Sequence, residues 1–186
     1  YNWASVFWHE LSHTFHLGMT DNRVPRWFSE GLAVHEQRQA RSGWGHQPNI
    51  PFLQALRDGE LKKVSELNDG FMRPDFPQQV IFSYYQASLV FQVLEEQYGF
   101  QAIRDMLEGY KNGATTPDLF QSVLGCSIED FDNEFEDYLQ ERFRSPLQGL
   151  VELGETPDQS AGVEALQTFV RTHPGDLLGR IRSGVT

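Results

Sequence analysis

Hydrophobic positions along this chain recur at helical spacing. An apolar, aromatic run from Tyr1 to Leu17 predicts a helix over about 2–17, closed by Gly18. Val24-Pro25 starts a second helix that runs to roughly Ala40, with Phe28 and Leu32 on one side and Trp27, Gly31 and Val34 on the other. A Gly/Pro-rich loop over 42–51 leads into a short helix from Pro51 to Arg57, closed near Gly59, and 68–77 reads as loop again. Residues 79–98 form the most apolar helix, ended by Gly99; Ile81, Leu89, Val90, Val93 and Leu94 are too numerous for one narrow stripe, so this helix should be central. Phe100, Ile103, Met106, Leu107 and Tyr110 continue at helical spacing to Gly113, and Thr116-Pro117 opens a further helix stopped at Gly125. Ser127 and Asp130 mark the next start, with Ile128, Phe131, Phe135, Tyr138 and Leu139 as its buried side. The acids of that helix, including Asp130, Asp132 and Glu136, read as a solvated face. The expected fold class is mainly α.

Chemistry enters at His9-Glu10-Leu11-Ser12-His13, inside the first helix. At about 100° per residue the two histidines lie about 40° apart and roughly 6 Å apart along the axis, so both imidazoles can reach one metal ion. Glu10 is rotated off that face and is better placed to hold a water than to ligate. Chance alone gives such a pattern in about one or two of a hundred chains like this one, so a second element is needed. Pro25-Arg26-Trp27-Phe28-Ser29-Glu30-Gly31-Leu32-Ala33 supplies it, an acidic residue in an apolar helix start that a polar turn lets fold back as a third ligand. Two His and one Glu leave a tetrahedral zinc one open position, the catalytic rather than the structural arrangement. His16 shares the face of His9 and His13 and is a rival ligand, with packing or a supporting role behind the ligands as the other reading. His35 and His46 have no ligand-like spacing and read as surface or core-edge residues.

His9-Glu10-x-x-His13 followed by Trp27-Phe28-Ser29-Glu30-Gly31-Leu32-Ala33 resembles the gluzincin metallopeptidases, the thermolysin-like clan, and particularly its aminopeptidase-N-like and related peptidase MA branches. Their second helix reads W-L-x-E-G-hydrophobic-A. Tyr84-Tyr85-Gln86-Ala87-Ser88-Leu89-Val90 is similar to their Y-x-K-G-A-x-V segment, which carries the tyrosine that stabilises the oxyanion. The resemblance implies a zinc peptidase in which His9, His13 and Glu30 hold Zn²⁺, Glu10 is the general base and Tyr84 supports the oxyanion. Tyr84 and Tyr85 point about 100° apart on a helix, so only one can face the metal; the other is expected in the core. The chain departs from the aminopeptidase-N branch in a shorter gap between His13 and Glu30 and in having no G-x-M-E-N segment, which leaves endo- and exopeptidase action both open. In this clan a β-rich subdomain precedes the metal-binding helix. Here the chain begins at Tyr1 inside that helix, so the expected architecture is the helical C-terminal half of a thermolysin-like domain without its upstream β subdomain, in a processed or partial chain.

A length of 186 residues and 39% hydrophobic content suit one domain of ordinary core size, here residues 1–145. Past Pro146 the composition shifts, and a helix at about 157–172 with Ala165, Leu166 and Phe169 resembles the opening of a tetratricopeptide-type array; residues 146–186 are read as a C-terminal helical extension able to dock a protein partner. Net charge of −11 and a pI near 4.9 argue against nucleic acid or an anionic membrane surface as main partner; the peptidase resemblance implies a peptide or protein substrate. Cys126 is the single cysteine, expected small and buried, which excludes an intrachain disulfide and a Cys-based zinc site. No apolar stretch reaches the ~18 residues of a membrane span and no signal peptide is visible, so the compartment stays open. The rival to an enzyme is a non-catalytic protein-binding module on a retained gluzincin scaffold.

Overall fold

The computed structural model describes residues 2–152, and among them every regular element is helical. The chain divides into two units, Tyr1–Leu139 and Gln140–Thr186. The helix expected at 157–172, with its tetratricopeptide-like reading, lies outside the described residues.

The first unit starts with α1 (Trp3–Met19), whose first turn is capped by the Asn2 side chain accepting from Ser5 N–H at 3.3 Å. Gly18 does not stop it. The helix runs on to Met19, and the reversal is made by Asp21 and Asn22 in the left-handed region (φ 51° and 58°), which short polar side chains tolerate. Pro25, at φ −67°, then presets the entry to α2 (Arg26–Ala40). A short α3 (Ile50–Arg57), capped by Asn49, follows the loop. The expected loop at 68–77 is partly helical: a 3₁₀ turn (Val64–Glu66) runs into α4 (Leu67–Met72). Leu67 and Phe71, one turn apart and buried, dock it, and Gly70 lies so close to Ser83 that a Cβ there would sit 2.3 Å from the hydroxyl. Tertiary packing rather than helix propensity holds α4, so its composition did not announce it.

The central helix is α5 (Gln79–Lys111), broken at Gly99, where φ 77° and ψ 161° leave the helical region and set the direction of its second half. Its first half packs against α2, α4 and α1. The junction is aromatic: Phe28 meets Phe91 at 4.7 Å, Trp27 at 5.3 Å and Tyr110 at 5.0 Å between ring centroids, all near edge-on. Each fully buried ring of this kind contributes about 1.5–3 kcal/mol of transfer free energy. Ile81 is not part of that core and faces solvent. After α6 (Thr116–Leu119), opened by a Thr115/Asp118 capping box, a π turn over 120–124 ends at Gly125 with φ 77°. Cys126 beside it is half-buried rather than buried, 4.0 Å from the Tyr98 hydroxyl.

α7 (Ile128–Arg142) buries Ile128, Phe131, Phe135 and Leu139 as expected, while Tyr138, expected with them, is only half-buried. Asp132 departs from the solvated acidic face. It is buried and accepts from Ser65 N–H at 3.0 Å and Ser65 O–H at 2.6 Å, tying α7 to the turn before α4. In the second unit α8 (Arg144–Glu152) has Pro146 in its first turn, where the missing N–H costs nothing.

Candidate metal centre

α1 and α2 lie side by side, and their facing surfaces carry the ligand types. One turn of α1 separates His9 from His13, whose rings meet edge-on at 4.7 Å. α2 brings Glu30 up to both. His9 Nε2 and His13 Nε2 are 3.0 Å apart, and Glu30 Oε2 lies 3.2 Å from the first and 3.3 Å from the second. Zn–N and Zn–O bonds of ~2.0–2.1 Å at tetrahedral angles place any two ligand atoms about 3.3–3.4 Å apart. The triangle therefore has nearly the edges of one face of a zinc tetrahedron, and the residues present fit the ion. Among the described residues no other cluster of His, Cys, Asp and Glu converges in this way. The three side chains keep 14–16% of their surface exposed, so the triangle is reachable from solvent.

The electrostatics of this triangle call for positive charge at its centre. Burial alone would raise the Glu30 pKa, but hydrogen bonds from His13 and His9 and their charges hold the carboxyl well below its ordinary range. Burial pulls His9 the other way, downward, and is outweighed by Glu30, Gln37 and the more distant Glu10 carboxylate, so His9 ends above its usual value.

Behind the triangle stands a supporting layer. His13 Nδ1 lies 3.0 Å from Ser29 Oγ and 3.0 Å from His16 Nε2, and those two are 2.8 Å from each other. His16 is buried, and burial, then the neighbouring His13 charge, pushes it down to about 4, so it is neutral at pH 7. Its Nε2 is engaged on the far side of the His13 ring from the triangle, which places His16 behind a ligand rather than among the ligands. His9 Nδ1 is 3.1 Å from Gln37 Oε1.

Glu10 is exposed, its charge is felt at His9, and no hydrogen bond or ion pair from a described residue holds it. Tyr84 comes to the site from the second turn of α5, with its ring 6.4 Å from that of His9. Burial, then the Glu30 carboxylate, raises the pKa of its hydroxyl despite the neighbouring Arg26 guanidinium, so the phenol keeps its proton and can donate. Tyr85 turns into the core, 4% exposed and edge-on to Phe52 at 5.1 Å.

Other residues at the site carry no signal in the H-E-x-x-H pattern. Arg26 sits one turn before Glu30, Nε 3.4 Å from Oε1, a pairing readable from its i, i+4 spacing. His46, half-buried at the core edge, stacks on Tyr84 (4.9 Å, 23°) and Phe71 meets the same ring edge-on at 5.1 Å, so His46 stands beside this site. Its place in a non-periodic loop hid that. His35 is buried and paired with Glu95 at 2.7 Å, away from the triangle.

Compared with known families, residues 2–141 match the family described as the Peptidase MA superfamily. No curated protein and no solved structure matches the chain.

Proposed function

We propose that this chain, which belongs to the peptidase MA superfamily, carries the metal site and the general base of a zinc-dependent peptidase. The observation that carries the reading is the 3.0, 3.2 and 3.3 Å triangle of His9 Nε2, His13 Nε2 and Glu30 Oε2, open on one side. Zinc held there lowers the pKa of a bound water toward ~7 and polarises a carbonyl. Glu10, which no described residue holds, takes the water's proton as oxygen attacks the peptide carbon and hands it to the amine nitrogen as the C–N bond breaks. The Tyr84 O–H donates to the former carbonyl oxygen as negative charge grows there, without bringing a charge of its own. Arg26, beside both Tyr84 and Glu30, holds that phenol in place.

A second reading, a protein-binding module on the same scaffold, draws on the exposed outer side chains of α1: Trp3 at 72%, Phe15 at 65% and Phe7 at 59%. Two variants separate the readings. Glu30→Ala should lose most of the zinc found by elemental analysis of protein purified without added metal. Glu10→Gln should keep its zinc while hydrolysis of a diverse peptide library falls by ~100-fold or more. Full zinc in Glu30→Ala would remove Glu30 from the ligand set. A zinc-loaded protein that cleaves no peptide would favour the binding module.

A further inference from the structure

We infer that Gln37, aimed by Ser5, sets the tautomer of His9 and so leaves the His9 Nε2 lone pair free to face a metal. The inference rests on the metal reading above and concerns a residue outside the ligand set. The direction of the hydrogen-bond chain follows from its far end. The Ser5 backbone carbonyl can only accept, so the Gln37 atom 2.7 Å from it is the amide nitrogen. That nitrogen's other hydrogen reaches Ser5 Oγ at 2.9 Å. The amide oxygen is thereby turned toward His9 Nδ1, 3.1 Å away, and it has no hydrogen to give. Nδ1 must then carry a proton, so the proton that a cation in the triangle can displace is the one Nε2 shares with Glu30 Oε2, and Nε2 is the atom at the corner of the ligand triangle.

Burial makes this arrangement binding. Gln37 is 6% and Ser5 7% exposed, so water does not replace either partner. A flipped amide would set oxygen against the Ser5 carbonyl oxygen and leave N–H groups against His9, with both mismatches buried. The placement is written into α2. Gln37 follows Glu30 by seven residues, about −20° around the helix and two turns on, so the same face of α2 that offers Glu30 to the metal offers an acceptor to the back of His9. Ser5 in turn precedes His9 by one turn of α1, on the side that meets α2.

Two readouts on the full chain test this. In metal-free protein at alkaline pH, imidazole nitrogen NMR should show His9 protonated at Nδ1, and Gln37→Leu should shift it toward the Nε2-protonated form. Chelator competition should show zinc bound ~10- to 100-fold more weakly by that variant. Gln37→Glu keeps an acceptor toward His9 but sets a carboxylate oxygen against the Ser5 carbonyl. It should hold the Nδ1-protonated tautomer while its urea midpoint falls, a split that a purely structural role would not give. A Gln37→Leu protein with His9 still protonated at Nδ1, or with zinc affinity unchanged beside a wild type that binds, overturns the inference. Should the wild type bind no zinc, the metal reading fails, and the nitrogen spectrum alone still decides the role of Gln37.

Discussion

At Gly31, the neighbour of Glu30, α2 closely approaches α5, and adding one methyl group there tests how the candidate metal centre is held. A Cβ at position 31 would lie 2.8 Å from Ala87 Cβ, 3.0 Å from Phe91 Cε2 and 3.1 Å from the Ala87 carbonyl carbon. Carbon atoms rest at about 3.5–4.0 Å, so the helices must part by roughly 0.7 Å or more at this point. Two effects compete in Gly31→Ala. Helix propensity favours alanine by ~0.8–1.0 kcal/mol in a helix interior. Overpacking of a filled core costs ~1–3 kcal/mol. Ala87 and Phe91 are both fully buried and one of the clashing atoms is backbone, so neither can yield outward. The cost should sit in the upper half of its range, for a net destabilisation of about 1–2 kcal/mol.

The same displacement reaches the site. Glu30 precedes Gly31 on the helix that would move, and metal sites hold ligand distances within about 0.2 Å. Zinc affinity should therefore fall by ~10-fold or more along with the urea midpoint, since a misplaced ligand acts on the metal much as a lost supporting contact does. Ala87→Gly in the Gly31→Ala background removes the closest contact and should restore most of the zinc affinity. Stability should recover less, because the new glycine costs ~1 kcal/mol in α5. A Gly31→Ala protein as stable as the wild type or more so, with unchanged zinc affinity, would show that propensity governs and that the close approach does not position Glu30.

Tyr84→Phe should lower kcat for peptide hydrolysis by ~10²-fold or more with zinc content intact, because the ring stays between His46 and Phe71 and only the donor is lost; equal activity in the two proteins would remove Tyr84 from the reaction. Asp132→Ala should lower the urea unfolding free energy by about 2 kcal/mol, since two charge-assisted hydrogen bonds to Ser65 are lost, one of them to a backbone N–H. A loss within ~0.5 kcal/mol, the range of ordinary surface changes, would place Asp132 on the solvated face after all.

The parts of the site that were legible in the sequence are those fixed by one helix at a time. His9 and His13 share a face because 3.6 residues make a turn, and Tyr84 and Tyr85 diverge for the same reason; Tyr84 lies 6.4 Å from His9 between ring centroids while Tyr85 is buried beside Phe52. Helix ends were legible where a residue has one conformational role, as with Pro25 and Gly99, and not where several residues share it. Gly18 looked like a stop, yet Asp21 and Asn22 make the reversal. α4 carries little helical signal in its sequence because its six residues include a Gly, an Asn and an Asp; Leu67, Phe71 and the close approach of Gly70 to Ser83 hold them, and those contacts exist only after folding.

What periodicity could not supply is the layer behind the ligands, because it depends on how far α1 is rotated against α2. His16 has the same angular claim on the metal as His9 and His13 when α1 is viewed alone. Ser29 decides the matter: by bringing its hydroxyl to 2.8 Å from His16 Nε2 and 3.0 Å from His13 Nδ1, α2 engages His16 as a neighbour of His13 and leaves only His9 and His13 facing Glu30. The same docking sets Gln37 behind His9 and Arg26 beside Tyr84. Adjoining faces of α2 thus offer Ser29 and Gln37 to the rear of the two imidazoles and Glu30 to their front. A sequence pattern that reports helix faces shows that Glu30 can reach the two imidazoles. It does not show that the residue just before it, on a 100° different heading, is the one that keeps a third histidine out.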